Sequence, residues 1–196
     1  MRRLAVLLLT IALLAIGTRA GASFSTEELA TLAAGDLLIE RSTYDRGSEH
    51  YVGGVSYLVV DLPAARLSAV ARDVSAIPAL LPHVSDVQLL EVTAGGVGRI
   101  RITHTLGPTS GSYTLRIAFF EAGTFGRFSI EPSEGSAVLD GWGYVRLTPI
   151  GAGERTLVTY AVLFDLGPGV LRSLFESRIQ DAALSYPRRL AHAASY

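Results

Sequence analysis

Between Asp86 and Asp165 the chain passes through six segments rich in Val, Ile, Thr, Tyr and Phe, each separated from the next by a short Gly, Pro or Ser turn. This alternation limits the fold more than any other feature. The segments span residues 86–92, 97–106, 111–121, 124–131, 136–148 and 154–165, and their β-branched and aromatic content favours strands. Between them stand Ala94-Gly95-Gly96, Gly107-Pro108-Thr109-Ser110, Ala122-Gly123, Pro132-Ser133-Glu134-Gly135 and Gly151-Ala152-Gly153. Connections this short join neighbouring antiparallel strands, because a parallel crossover needs a dozen or more residues.

Helical patterns flank the strands. Val55–Val60 reads as a further strand, followed by Asp61 as a helix cap and Pro63 in the first turn, where its missing N–H costs nothing. Leu67, Val70 and Val74 make one stripe, and Pro78 and Pro82 set off a second, short helical piece. After Gly167-Pro168-Gly169 a single long helix is predicted to about Ala194. Its stripe of Leu171, Phe175, Ile179, Ala182, Tyr186 and Leu190 must bury against the sheet, and Pro187 bends its last two turns. Towards the N-terminus, Ser25 and Glu28 form a capping box with Phe24 stapled over Leu29. Gly35 ends that helix, Leu37–Ser42 reads as a short strand, and Tyr44–Gly54 as a loop.

The first residues have the three parts of a secretory signal: Arg2 and Arg3, an uncharged run from Leu4 to Ile16, and Ala20-Gly21-Ala22 as a cleavage site. The run is shorter than the roughly 20 apolar residues of a membrane span. The expected division is a signal peptide over 1–22, an N-terminal helix and extension over 23–52, and one main domain over 53–196. The expected location is secreted or periplasmic, in a bacterium. All 17 basic residues are Arg, and losing Arg2, Arg3 and Arg19 leaves 14 against 18 acidic, a formal net charge of −4. That balance argues against nucleic acid, whose binding rests on clustered positive charge. With no Cys, no disulfide staples the fold, and with no Lys, Schiff-base chemistry is excluded.

Asp61-Leu62-Pro63-Ala64-Ala65-Arg66-Leu67, then Ala71-Arg72-Asp73-Val74-Ser75-Ala76-Ile77-Pro78-Ala79-Leu80-Leu81-Pro82-His83-Val84, resembles the opening of the SRPBCC (START-like) superfamily. Gly141-Trp142-Gly143-Tyr144-Val145-Arg146-Leu147 and Thr156-Leu157-Val158-Thr159-Tyr160 resemble its last two strands. The resemblance implies an α+β helix-grip fold, a curved antiparallel sheet of about seven strands wrapped around a long C-terminal helix. It also implies a cavity for a lipid, quinone or polyketide-like molecule.

No catalytic constellation stands out. His50, His83, His104 and His192 lack metal-ligand spacing, no G-x-S-x-G elbow exists, and Gly167-Pro168-Gly169 has Arg172 where a dinucleotide loop needs its third Gly. Neither a metal nor a cofactor is expected. Gly141-Trp142-Gly143 reads as a strand kink or bulge. An apolar ligand needs apolar walls with a few polar handles. The candidate ligand-binding residues are therefore Tyr57, Arg101, His104, Tyr113, Phe119, Trp142, Tyr160, Phe175, Arg178 and Ile179. The expectation is an exported carrier of a hydrophobic small molecule, with a transient membrane contact. The alternative is a polyketide cyclase or dehydratase using His104, Tyr160 or an inward Arg; a partner-binding envelope protein is the third reading.

Overall fold

The structure, a computed structural model, describes residues 24–93, 97–106, 109–132, 136, 138–168 and 170–196. The signal-like segment, and the turns at 94–96, 107–108 and 133–135, lie outside the described residues. Eight strands form one antiparallel sheet: β1 (Leu38–Arg46), β2 (Glu49–Val60), β3 (Val84–Val92), β4 (Val97–Leu106), β5 (Thr109–Phe120), β6 (Phe125–Glu131), β7 (Asp140–Ile150) and β8 (Arg155–Asp165). Their order across the sheet is β1-β2-β8-β7-β6-β5-β4-β3. Strands β3 to β8 are the expected meander, and β2 then pairs with β8, Val55 opposite Ala161 and Ser56 opposite Tyr160.

The strand expected over Leu37–Ser42 is present as β1, and it and β2 both run on through the stretch expected to be a loop. Residues 44–54 belong to a hairpin of β1 and β2 that turns at Gly47 (φ 65°), with Arg46 opposite Glu49. From residue 40 to 46 every residue of β1 is exposed, so this edge strand carries no alternating apolar pattern to reveal it. The boundary drawn at residue 52 falls inside β2, and residues 38–52 are part of the sheet. In β2 the backbone kinks through Gly53 and Gly54, at φ 155° and 141°. A Cβ on Gly53 would lie 1.9 Å from the Val162 carbonyl oxygen, and one on Gly54 2.0 Å from that of Glu40, so only glycine fits here.

Helices cover the two faces unequally. On the outer face, α1 (Thr26–Ala33) is opened by the expected capping box. It seats Leu29 and Leu32 on Tyr57, Val59, Ile150 and Leu157, with Phe24 packed beside them. On the inner face, α2 (Ala64–Arg72), a 3-10 turn (Val74–Ala76) and α3 (Ile77–Leu80) carry the chain from β2 to β3 at the far edge. Asp61 is not the cap of α2: its Oδ1 accepts a hydrogen bond from Arg155 Nε at 2.6 Å, and Pro63 occupies the capping position without a side-chain bond.

The long terminal helix is two helices, α4 (Val170–Leu184) and α5 (Tyr186–Ala194), broken at Ser185. Pro187 has no N–H to continue the ladder, and the Arg188 and Arg189 amides turn instead to the Ser185 carbonyl. Helix α5 buries Pro187, Leu190 and Ala194 against α2, α3, β2 and β8. Polar bonds tie α4 to the hairpin: Gln180 Nε2 donates to Gly53 O at 2.7 Å and to Ser42 O at 3.3 Å, and Arg41 reaches Asp181 at 2.7 Å.

Candidate functional site

Strand alternation decides which side chains meet the closing helices. On β4 the even positions point inward, so Ile100 and Ile102 are buried and His104 follows them. On β5 the odd positions do, giving Tyr113, Leu115, Ile117 and Phe119. Phe128 and Ile130 of β6, Val145 and Leu147 of β7, and Val158, Tyr160, Val162 and Phe164 of β8 continue the surface. Two close approaches fit these rings into the sheet: the Phe119 ring lies over Gly126 and the Phe128 ring over Gly143, where a Cβ would sit 2.8 and 2.4 Å from them. Gly143 holds regular register with both neighbours and Gly141 with β8, so the pairing shows no bulge, and Gly143 leaves room for the Phe128 ring and Gly141 for Ile130.

Where the helices lie matters most. Helices α4 and α5 rest on β2 and β8, whereas Tyr113, Leu115, Phe119 and Phe128, across the curve on β5 and β6, stay only partly covered while facing inward. In a solid core such side chains would be closed off. The inner face of β5 and β6 is thus less completely covered than that of β2 and β8. A separate recess of about 600 Å³, open to solvent, lies at the sheet edge between Asp73, Val74, Ser75 and Pro78 on one side and Ser85, Asp86, Val87 and Leu89 on the other.

Aromatic rings run along this inner surface. Phe128 stacks on Tyr160 at 5.9 Å between centroids, and Tyr160 on Tyr186 at 4.5 Å. His104 stacks on Tyr113 at 5.4 Å, and its two nitrogens are both engaged, Nδ1 with Pro82 O at 2.8 Å and Nε2 with the Tyr113 hydroxyl at 3.0 Å. Burial pushes the His104 pKa below its ordinary 6.5, so the ring is neutral at neutral pH. Burial raises the phenols of Tyr113, Tyr160 and Tyr186 well above 10, so all three stay protonated. The single buried charged side chain among the described residues is Asp165, which is spent on the Gly167 amide at 2.7 Å. The interior is therefore neutral and apolar with a few hydroxyl and imidazole atoms.

Five of the ten sequence candidates, His104, Tyr113, Phe119, Tyr160 and Ile179, come together on this inner surface. Phe175 is half-buried on α4. Four candidates do not join them. Tyr57 points to the outer face, edge-on to Phe24 at 5.0 Å. Trp142 is also outside, 40% exposed and packed on Tyr51 at 4.8 Å. Arg101 alternates with Ile100 and Ile102 and is exposed, as is Arg178. In each case the physical reason is parity or position: an odd β2 residue, an even β7 residue, an odd β4 residue, and the solvent side of a helix. Two aromatic residues of this surface were not among the candidates, Phe128 and Tyr186. The signal for both was in the sequence, since Phe128 alternates in step with Ile130 and Tyr186 stands on the helical stripe. No cluster of three His, Cys, Asp or Glu residues suited to a metal occurs among the described residues.

Comparison with known proteins agrees with the resemblance read from residues 61–84 and 141–160. The family described as polyketide cyclase/dehydrase and lipid transport matches residues 55–190. Among solved structures, a STAR-related lipid transfer protein from Xanthomonas axonopodis is similar in fold, with a TM-score of 0.61 and 14% identity, covering 81% of this chain and 99% of that one. The Zhui aromatase/cyclase from Streptomyces sp. R1128 gives 0.57 and 16%, covering 81% and 94%. A START superfamily protein from Mycobacterium smegmatis gives 0.52 and 17%, covering 71% and 91%. No curated protein matches by sequence. The meander, the broken inner helices and the closing helix pair thus stand within a family match that spans most of the sequence, and the chain belongs to the polyketide cyclase/dehydrase and lipid transport family of START-like proteins.

Proposed function

We propose that this protein is an exported carrier that holds an uncharged, hydrophobic small molecule between its sheet and its closing helices. The observation that carries the reading is the set of inward-facing side chains on β5 and β6, Tyr113, Leu115, Phe119 and Phe128, that no helix covers fully. A guest seated there gains burial of apolar area at roughly 25 cal/mol per Å², and it needs no charge because the described inward-facing strand residues hold no buried charge to pair with, the exposed Arg72 guanidinium lying 6.0 Å from the Phe119 ring. Family membership supports the same reading, as lipid transport is among the activities by which the family is described. Export is supported by the signal-like first 22 residues; no described helix is long and apolar enough to cross a membrane.

Native mass spectrometry of protein purified from its own host tests this directly, with a bound mass of lipid or ring-system size expected. Ile179→Trp, which fills the space from α4, is expected to lose that mass and to weaken binding of an apolar fluorophore at least about tenfold. A wild-type protein that carries nothing and shows no saturable binding of any apolar probe overturns the reading.

A cyclase or dehydratase is the second reading, favoured by one observation: a neutral His104 whose Nε2 meets the Tyr113 hydroxyl beside the open interior. A neutral imidazole is a competent general base. Turnover of a polyketide-like substrate that His104→Ala abolishes, with binding retained, would select this reading over the carrier.

A further inference from the structure

The hydrogen-bond chain that runs from Pro82 through His104 to Tyr113 has a fixed direction. The Pro82 carbonyl can only accept, so His104 Nδ1 must carry the proton of the neutral ring and donate it at 2.8 Å. Nε2 is then a bare lone pair, and the contact with the Tyr113 oxygen at 3.0 Å holds only if the phenol donates. Once its single proton is committed to His104, Tyr113 offers the interior nothing but acceptor lone pairs. Tyr113 itself is only partly covered, packs with the apolar groups of both inner clusters, and has no second hydrogen-bond partner among the described residues.

A buried oxygen with an unused acceptor site favours a guest that supplies a donor, and rejects an isostere whose oxygen is capped, because two lone pairs would then face each other across a dry gap. We propose that Tyr113, polarised by His104 and Pro82, selects ligands carrying a hydroxyl or other O–H or N–H donor on an otherwise apolar ring system, and disfavours their ethers and ketones at that position. The selectivity is built by geometry three residues deep and deepens the carrier reading, on which it rests. His104 acts as a positioning residue: it never meets the guest but decides which way the Tyr113 proton points.

The test is a matched pair of fluorescent probes, 2-naphthol and 2-methoxynaphthalene, titrated at neutral pH into the full-length mature protein. Wild type is expected to prefer the naphthol by about five- to tenfold. Tyr113→Phe removes the acceptor and brings the ratio to about one, chiefly by weakening the naphthol. His104→Leu frees the Tyr113 proton to face inward, so the methoxy compound is expected to gain affinity while the naphthol does not, a change that a packing role alone would not produce. Equal binding of both probes by wild type, or a preference that survives in Tyr113→Phe, overturns the proposal and leaves the carrier reading standing. Failure of both probes to bind wild type counts against both.

Discussion

Ser56 is wholly buried on the inner face of β2, and its Oγ has no hydrogen-bond partner among the described residues. A desolvated hydroxyl left alone costs on the order of 1–3 kcal/mol, so Ser56→Ala is expected to stabilise the protein by about 1 kcal/mol, a rise of roughly 2–4 °C in Tm for a domain of this size. Differential scanning calorimetry reads it, and a lower Tm would mean that Oγ has a partner in solution. His104 predicts a pH dependence. Its folded pKa is depressed by burial, so the unfolded chain binds more protons and the stability this neutral ring contributes is present above pH 6.5 and is lost as pH falls through the lower, folded value. Thermal melts taken from pH 8 to pH 4.5 should show this acid limb, and His104→Leu should flatten it. Parity made part of this legible: that His104 shares a face with Ile100 and Ile102, and Tyr113 with Phe119, follows from strand alternation alone. Which face was inner did not. That choice depends on where α1 and the closing helices settle, so Tyr57 and Trp142, both aromatic and both on strands, could not be told from Tyr113 by sequence.

At the scale of elements, the β1–β2 hairpin shows what a single sequence conceals. Edge strand β1 pairs through its backbone while its side chains face water, and backbone pairing leaves no mark on composition. The Gly53-Gly54 step within β2 looked like loop chemistry, whereas it is a kink that admits the Val162 and Glu40 carbonyls. Gly53→Ala is expected to cost on the order of 3 kcal/mol or to prevent folding, as both the conformation and the space exclude a methyl group. Gly47→Ala, in the open turn with nothing within 4 Å, should cost only about 1 kcal/mol through its positive φ; chemical denaturation of the pair separates the two cases. The meander was legible throughout because its turns are short and its strands long. The break at Ser185 was half-legible: Pro187 announced a disturbance, but whether a helix bends or parts depends on the packing beyond it.

Across the whole molecule, the closing segment is fastened in two different ways. Helix α5 is held by buried apolar residues against α2, α3 and the sheet. The contacts of α4 with the hairpin include Gln180 on two backbone carbonyls and Arg41 on Asp181, and His50 stands between Asp45 and Glu176 at the same seam. Amide exchange by mass spectrometry is expected to show residues 175–184 exchanging at least about tenfold faster than 188–194 under native conditions. Gln180→Leu should speed the first group and leave the second unchanged; uniform exchange across both would contradict the difference in attachment. Water can stand in for the exposed Arg41–Asp181 pair, whereas the Gln180–Gly53 bond is buried and Leu184, with Ile179 and Ala183 beside it, anchors the end of α4 in the same apolar core as α5. A guest leaving the interior therefore has its easiest exit where α4 meets the hairpin through polar partners that solvent can replace, while Leu184 and the tail of the chain keep their grip.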